Sequence, residues 1–367
     1  MKNKEMKAWV LYGVDDLRLE NVKMPEPAKD EVLVEVRAAG ICGSDIPRIY
    51  QTGTYTFPLI PGHEFSGVVV GTGPNVSNSW QGKHVGIFPL IPCKSCVPCQ
   101  KKQYEMCRHY SYLGSRRDGG FAEYAAVPAD NLIELPEGIS FEGAAMLEPM
   151  SVAAHALHRM QPSAEDTIVV CGLGTIGLLL LMLLQDALGE ENCGQKDGGQ
   201  EKGKLLVIGN KESQKRLVLE MGISEDCYCD SRKQNVGRWL MERTNDMGAD
   251  VFFECVGRNE TVLQAIDNTA PAGKVLLMGN PYTDMKLDKS VYWKILRNQL
   301  TVMGTWNSSF THDAEDDWHY ILRRLSERKI VPEKFISHRF LLEELEKGLH
   351  IMRDKTEDYV KIIGVRK

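Results

Sequence analysis

The segment Thr167-Ile-Val-Val-Cys171 runs into Gly172-Leu-Gly174-Thr-Ile-Gly177 and then into a leucine-rich stretch from about Ile176 to Leu188. A short β-branched run, a glycine turn and a leucine-rich helix open a βαβ unit, which commits this part of the chain to a parallel sheet. Further strand-like runs follow at Leu205–Ile208, Val251–Cys255, Lys274–Met278 and Thr301–Met303. Helical segments separate them, notably Glu212–Met221 and Glu260–Thr269. Strand alternating with helix predicts a doubly wound, Rossmann-type parallel sheet. The glycines also predict a ligand. Gly172, Gly174 and Gly177 let the backbone approach a pyrophosphate, and the helix start at Thr175 and Ile176 offers N–H groups and a positive dipole end. A dinucleotide is the expected occupant.

Before Asp166 the rhythm is different. Short apolar runs such as Glu31–Arg37, Gly67–Val70 and Ala122–Val127 alternate with Gly and Pro, as in an all-β region with many turns. The tail from Trp306 carries two amphipathic helical patterns, Ala314–Glu327 and Leu342–Met352, and a last strand, Val360–Val365. A chain of 367 residues is too long for one ordinary core. The expected division is a β-rich domain over 1–155, a dinucleotide-binding domain over 156–300, and a return to the first domain over 301–367. Residues 189–204 are Gly- and charge-rich without periodicity and read as an exposed insertion.

Ten cysteines would suit a disulfide scaffold, but four of them form Cys93-x2-Cys96-x2-Cys99-x7-Cys107. Met1 to Lys7 is polar and shows no export signal, so a reducing cytoplasm is expected and the cluster reads as a metal site. Four thiolates complete a tetrahedral zinc shell and leave no position for substrate, which makes this site structural. It would pin a lobe, 89–110, that has little apolar sequence of its own. Cys171 and Cys255 sit at apolar strand ends and read as small core residues, and Cys227 and Cys229 as local strand sequence. A second set is dispersed: Cys42 in Gly40-Ile-Cys-Gly-Ser-Asp45, His63 and Glu64 in Pro61-Gly-His-Glu64, and Glu148 in Leu147-Glu-Pro149. One thiolate, one imidazole and a carboxylate leave a position open at zinc, as a catalytic site requires.

Taken in order, these motifs resemble the zinc-containing medium-chain dehydrogenase/reductase family over essentially the whole chain. The resemblance implies a GroES-like, β-rich catalytic domain joined to the Rossmann domain, two zinc ions per chain and a nicotinamide cofactor. It makes Cys42 and His63 ligands of the catalytic zinc, with Glu148, Glu64 or a water completing the shell. It makes Ser44 the hydroxyl that passes the substrate proton onward. Many relatives carry a histidine three residues further along; here that place is Pro47, which cannot carry a proton. An open zinc lowers the pKa of a substrate hydroxyl, and hydride then passes to the nicotinamide. Three segments, Cys42–Ile49, Gly114–Tyr124 and Gly304–Ser309, resemble the galactitol-1-phosphate 5-dehydrogenase branch of the polyol dehydrogenases.

That branch implies a polyol phosphate as substrate, and Arg48, Arg116 and Arg117 are the cations expected to meet a phosphate. Pairing of these arginines with acids such as Asp118 is the competing reading. The alternative substrates are an unphosphorylated polyol or a bulkier secondary alcohol such as a hydroxysteroid. An NAD-specific domain carries Asp or Glu after its second strand, where this chain has Gly209-Asn210-Lys211 with Arg216 a turn later. No acid at that place leans the expectation toward NADP, or dual use of NAD(P). A net charge of −6 gives no general reason to expect nucleic acid or membrane as partner. The last strand of the sheet resembles the edge at which relatives pair, so a homodimer or homotetramer is expected.

Overall fold

The structure, a computed structural model, describes residues 4–189, 203–281 and 283–366. Nearly all of the segment read as an insertion, 189–204, lies outside the described residues; Gly189, Gly203 and Lys204 are within them. Contacts divide the chain into two units, Met1–Ser151 with Ser308–Lys367, and Val152–Asn307.

The first unit is built on the strand Glu31–Ile41, whose eleven residues are buried at nine positions. So apolar a run fits only the middle of a sheet. It pairs antiparallel with Glu64–Thr72 along one edge, and along the other with Tyr124–Pro128 at its start and Lys361–Val365 at its end. His84–Ile87 and Leu132–Glu134 extend the sheet beyond Glu64–Thr72, and Ile336–Leu341 extends it beyond Lys361–Val365. Val34, Val36, Val69 and Ile362 are fully buried in the core of this unit. Each such side chain contributes about 1.5–3 kcal/mol by leaving water. The lobe 89–110 is closed at its base by Leu90–Ile91 pairing antiparallel with Ser111–Tyr112.

The second unit is a six-stranded sheet in which every neighbouring pair is parallel. From one edge to the other its strands are Tyr228–Asp230, Leu205–Gly209, Ile168–Cys171, Ala249–Glu254, Thr269–Leu277 and Thr301–Gly304. The order reverses direction between Ile168–Cys171 and Ala249–Glu254, the place where such sheets open a ligand crevice at their C-terminal ends. The expected return to the first domain at residue 301 is corrected here. Thr301–Gly304 pairs with Thr269–Leu277, so the second unit holds the chain to Asn307 and the return begins at Ser308. The strand-like reading of Cys227 and Cys229 falls on Tyr228–Asp230; elements that pattern reading did not name include the strand Ile336–Leu341 and the helices Leu147–Met160, Val236–Arg243 and Lys289–Arg297.

Candidate active site and dinucleotide site

Register brings the dispersed ligands together. Gly40 stands opposite Glu64 in the antiparallel ladder, so Cys42, two residues beyond Gly40, arrives beside His63, one residue before Glu64. One ligand atom from each of Cys42, His63 and Glu64 lies within 4.8 Å of the others. Gly40 has to be a glycine: a Cβ there would lie 2.5 Å from Glu64 Oε2 and 2.8 Å from Lys361 Cε. Asp45, in the first turn of the helix Asp45–Tyr50, closes the loop by accepting the Cys42 N–H at 2.9 Å. Its other oxygen lies 3.3 Å from His63 Nδ1, which leaves Nε2 as the nitrogen for an ion. Burial alone would raise the Asp45 carboxyl, but His63 and Arg48 reverse that and hold it below its usual range. Burial also opposes a charged His63, yet Asp45 and Cys42 more than offset it and lift the ring well above its ordinary value. The neighbourhood is one that attracts a cation.

Around this cluster each remaining residue has a definite place. The Ser44 hydroxyl lies 3.3 Å from Cys42 Sγ. Glu148, at the start of the helix Leu147–Met160, lies outside the three-residue group and accepts a hydrogen bond from Tyr112 Oη at 3.2 Å. Burial, opposed by His63 and aided by Glu64, pushes the Glu148 carboxyl up to about 6. Lys361, 1% exposed, donates to Glu64 Oε2 and to the Ile41 carbonyl, the latter at 3.1 Å. Asp45, Tyr112 and Lys361 are the residues that motif reading misses. Asp45 sat in a quoted motif, but nothing in the sequence marks Tyr112 or Lys361.

The four-cysteine lobe has the dimensions of a zinc shell. Its sulfur separations include 3.5 Å for Cys96–Cys99, 3.9 Å for Cys93–Cys99 and 4.0 Å for Cys96–Cys107. Zn–S bonds of ~2.3 Å arranged tetrahedrally put sulfurs about 3.8 Å apart. The donor set and the spacing both fit.

The three expected arginines go separate ways. Arg48 Nη1 lies 3.7 Å from Asp45 Oδ1 and 3.5 Å from His63 Nδ1. Arg117 pairs with Glu31. The Arg116 guanidinium lies 3.9 Å from the Tyr55 ring centroid and 4.5 Å from that of Tyr110.

In the second unit the glycine turn divides its labour as a pyrophosphate loop requires. Gly172 has φ +100°, open to glycine at little cost, and a Cβ there would lie 2.5 Å from Val256 Cγ2. A Cβ on Gly177 would lie 1.8 Å from the Gly172 carbonyl oxygen, so the helix Thr175–Leu188 packs this closely on the turn only without a side chain. Gly174 caps that helix and faces open space, with nothing within 4 Å of its Cβ position.

At the end of the second strand a Cβ on Gly209 would lie 2.8 Å from Tyr228 Oη, 2.9 Å from Leu173 Cδ1 and 3.0 Å from Gln214 Oε1. Gln214 accepts from Asn210 N and donates to the Leu173 carbonyl, both at 3.0 Å, and so ties the strand end to the glycine loop. The acid in register with Gly209 is Asp230, and Arg232 holds it through two hydrogen bonds of 3.1 and 3.0 Å. Arg216, with Glu212, Leu219 and Glu220, lines a shallow surface depression.

Comparison with known proteins agrees with this geometry. Residues 28–137 match the alcohol dehydrogenase GroES-like domain and residues 202–327 the zinc-binding dehydrogenase domain. The chain is 34% identical over 321 residues to galactitol 1-phosphate 5-dehydrogenase of Escherichia coli K12, covering 88% of each chain. The crystal structure of galactitol-1-phosphate dehydrogenase from Escherichia coli superposes with a TM-score of 0.87 at 30% identity, covering 98% of this chain and 100% of that one. A zinc-binding dehydrogenase from Sinorhizobium meliloti 1021, solved bound to NADP, gives a TM-score of 0.86 at 27% identity, covering 99% of this chain and 100% of that one. With its GroES-like domain, its Rossmann sheet and this likeness, the chain belongs to the zinc-dependent medium-chain alcohol and polyol dehydrogenases, oxidoreductases that act on CH–OH groups with a nicotinamide cofactor.

Proposed function

We propose that the chain oxidises a secondary hydroxyl of a polyol phosphate of the galactitol 1-phosphate class, with Cys42, His63 and Glu64 holding the catalytic zinc and the four-cysteine lobe a second one. The observation that carries the reading is the contrast between the two clusters. One set is four thiols, a complete tetrahedral shell; the other is three mixed donors, one short of such a shell. The substrate class rests on the likeness to galactitol 1-phosphate 5-dehydrogenase. When bound, zinc supplies a Lewis acid for the substrate hydroxyl and the nicotinamide supplies the hydride acceptor.

The chain's own residues do the rest. Asp45 fixes the His63 ring by its Nδ1 edge. Lys361 takes Glu64 Oε2 and leaves Oε1 for the ion. Glu148 stays outside the shell as the acceptor of the Tyr112 hydroxyl. Ser44, a hydrogen bond away from Cys42 Sγ, receives the proton released from the substrate hydroxyl and hands it to solvent, since Pro47 offers no relay. In the second unit Gly172, Gly174 and Gly177, with the helix start at Thr175 and Ile176, take the pyrophosphate.

We favour NADP, or dual use, over strict NAD. Gly209 removes the acid that would hold a ribose 2′-hydroxyl, Arg232 occupies Asp230, and Asn210, Lys211 and Arg216 lie after the strand end. A side chain at Gly209 would press on Tyr228 and Gln214, so Lys211→Ala and Arg216→Ala are cleaner probes than filling the glycine. The open edge strand Thr301–Gly304, with Tyr292, Trp293, Leu296 and Trp306 each about half exposed beside it in sequence, supports pairing with a second copy. The test is steady-state kinetics with galactitol 1-phosphate, free galactitol and a hydroxysteroid, each with both cofactors. The phosphorylated polyol should exceed the free one by tenfold or more in kcat/KM, and Lys211→Ala should raise KM for NADP more than for NAD. Equal turnover of free and phosphorylated polyol would leave only the family.

A further inference from the structure

Two consecutive arginines leave one turn in different directions. The turn Tyr112–Gly120 is seated on the residue before His63: the Gly120 N–H donates to the Gly62 carbonyl at 2.8 Å, and a Cβ on Gly114 or Gly119 would lie 2.6 or 2.0 Å from that oxygen. Arg117, on this turn, reaches Glu31, and together they line a cavity with Met6, Val10 and Leu59. Arg116 reaches Tyr55 and Tyr110 instead. Tyr55 lies on the segment that runs from the helix Asp45–Tyr50 to His63. Tyr110 packs against Tyr112 with ring centroids 6.3 Å apart, and Tyr112 in turn packs 5.8 Å from His63 and bonds to Glu148. Arg116 therefore ends an aromatic row that begins at the metal cluster.

Its electrostatic situation differs from that of the other two. Arg48 has Asp45 within 3.7 Å and Arg117 has Glu31, so each positive charge is already answered. Arg116 pairs with no carboxylate among the described residues, and its Nε is buried without a hydrogen-bond partner. Two aromatic faces within stacking range fix a guanidinium without neutralising it, since ring quadrupoles attract the cation but accept no strong in-plane hydrogen bond. With the guanidinium against two rings and no carboxylate beside it, its in-plane N–H groups are what remain for a ligand, and they match two oxygens of a phosphate or carboxylate.

We propose that Arg116, clamped by Tyr55 and Tyr110, is the specificity-determining residue that reads an anionic group on the substrate, and that Arg48 and Arg117 do not. The inference rests on the polyol-phosphate reading and narrows it to one side chain. Arg48 instead belongs with Asp45 as a support for His63, and Arg117 with Glu31 as a support for the turn.

The experiment is kcat/KM for galactitol 1-phosphate and for free galactitol in the zinc-loaded wild type and in Arg116→Ala, Arg116→Lys and Tyr55→Leu, together with Ki for inorganic phosphate. Tyr55 is largely exposed, so its replacement leaves the fold intact and loosens only the clamp. Arg116→Ala should lower kcat/KM for the phosphorylated substrate at least tenfold, mainly through KM, and weaken phosphate inhibition by a similar factor. Arg116→Lys, which keeps the charge and loses the fork, should recover part of this, and Tyr55→Leu should fall between. A wild type that prefers the phosphorylated polyol, with Arg116→Ala keeping that preference, overturns the role of Arg116 alone. A wild type without the preference overturns the substrate reading and this inference with it.

Discussion

Beneath Gly40 the Glu64 carboxylate and the Lys361 ammonium fill the space a side chain would need, and both are almost wholly buried. Glu64 raises Lys361 against the pull of burial, so the ammonium keeps its charge. Removing one member leaves the other buried and uncompensated, at a cost of about 3–5 kcal/mol. Lys361→Met should accordingly lower unfolding free energy by that order, in zinc-free as well as zinc-loaded protein, as read by denaturant titration. Adding Glu64→Gln to it should restore much of the loss in the zinc-free protein. A single variant as stable as wild type would show that water reaches Glu64. Cys42, His63 and Glu64 were legible in the sequence because each stands in a short motif of Gly, Pro and donor residues. Lys361 was not, because it meets Glu64 across 297 positions and only register decides which lysine arrives there.

Elements were legible where their period was long enough to see. The leucine-rich helix after Gly174 and the strand Glu31–Ile41 announce themselves, whereas Ile336–Leu341 buries only its first residue and carries Ser, His and Arg in its middle. The helix Lys289–Arg297 was missed for another reason: its packed stripe is only Val291 and Ile295, one turn apart, while Tyr292, Trp293 and Leu296 are about half exposed and blur the pattern. The lobe between Leu90–Ile91 and Ser111–Tyr112 is the opposite case, an element specified by four sulfurs and little else. Elemental analysis should give two zinc ions per chain, falling to one in Cys99→Ser. That variant should melt lower by about 5 °C or more, each kcal/mol being worth roughly 2–4 °C in a folding unit the size of the first one. Mild chelation of the wild type should take the ion at Cys42 first, since its shell is open, and abolish activity before the melting point moves. Loss of both ions in step would show that the two sites are not distinct in exposure.

At the scale of the molecule, the open edge of the parallel sheet is the feature that calls for a partner. Thr301–Gly304 is unpaired along its outer side among the described residues, and Val302 is 38% exposed. A flat, apolar edge strand is a template for another strand unless something covers it. Wild-type protein should behave in light scattering as a dimer, twice the chain mass of 41.2 kDa, and Val302→Lys should shift it to the monomer. A wild-type monomer at micromolar concentration would refute pairing at this edge. The division of the chain has a consequence of a different kind, in time. The first unit opens with Met1–Ser151 and is finished only by Ser308–Lys367, while the second is one uninterrupted stretch. At a synthesis rate of about 5–20 residues per second, the 297 positions between Glu64 and Lys361 correspond to roughly fifteen to sixty seconds on the ribosome. For that interval the Glu64 carboxylate exists without the lysine that answers its charge, and its sheet lacks Ile336–Leu341 and Lys361–Val365, whereas the second unit has every residue it needs once Asn307 is made, before either strand arrives.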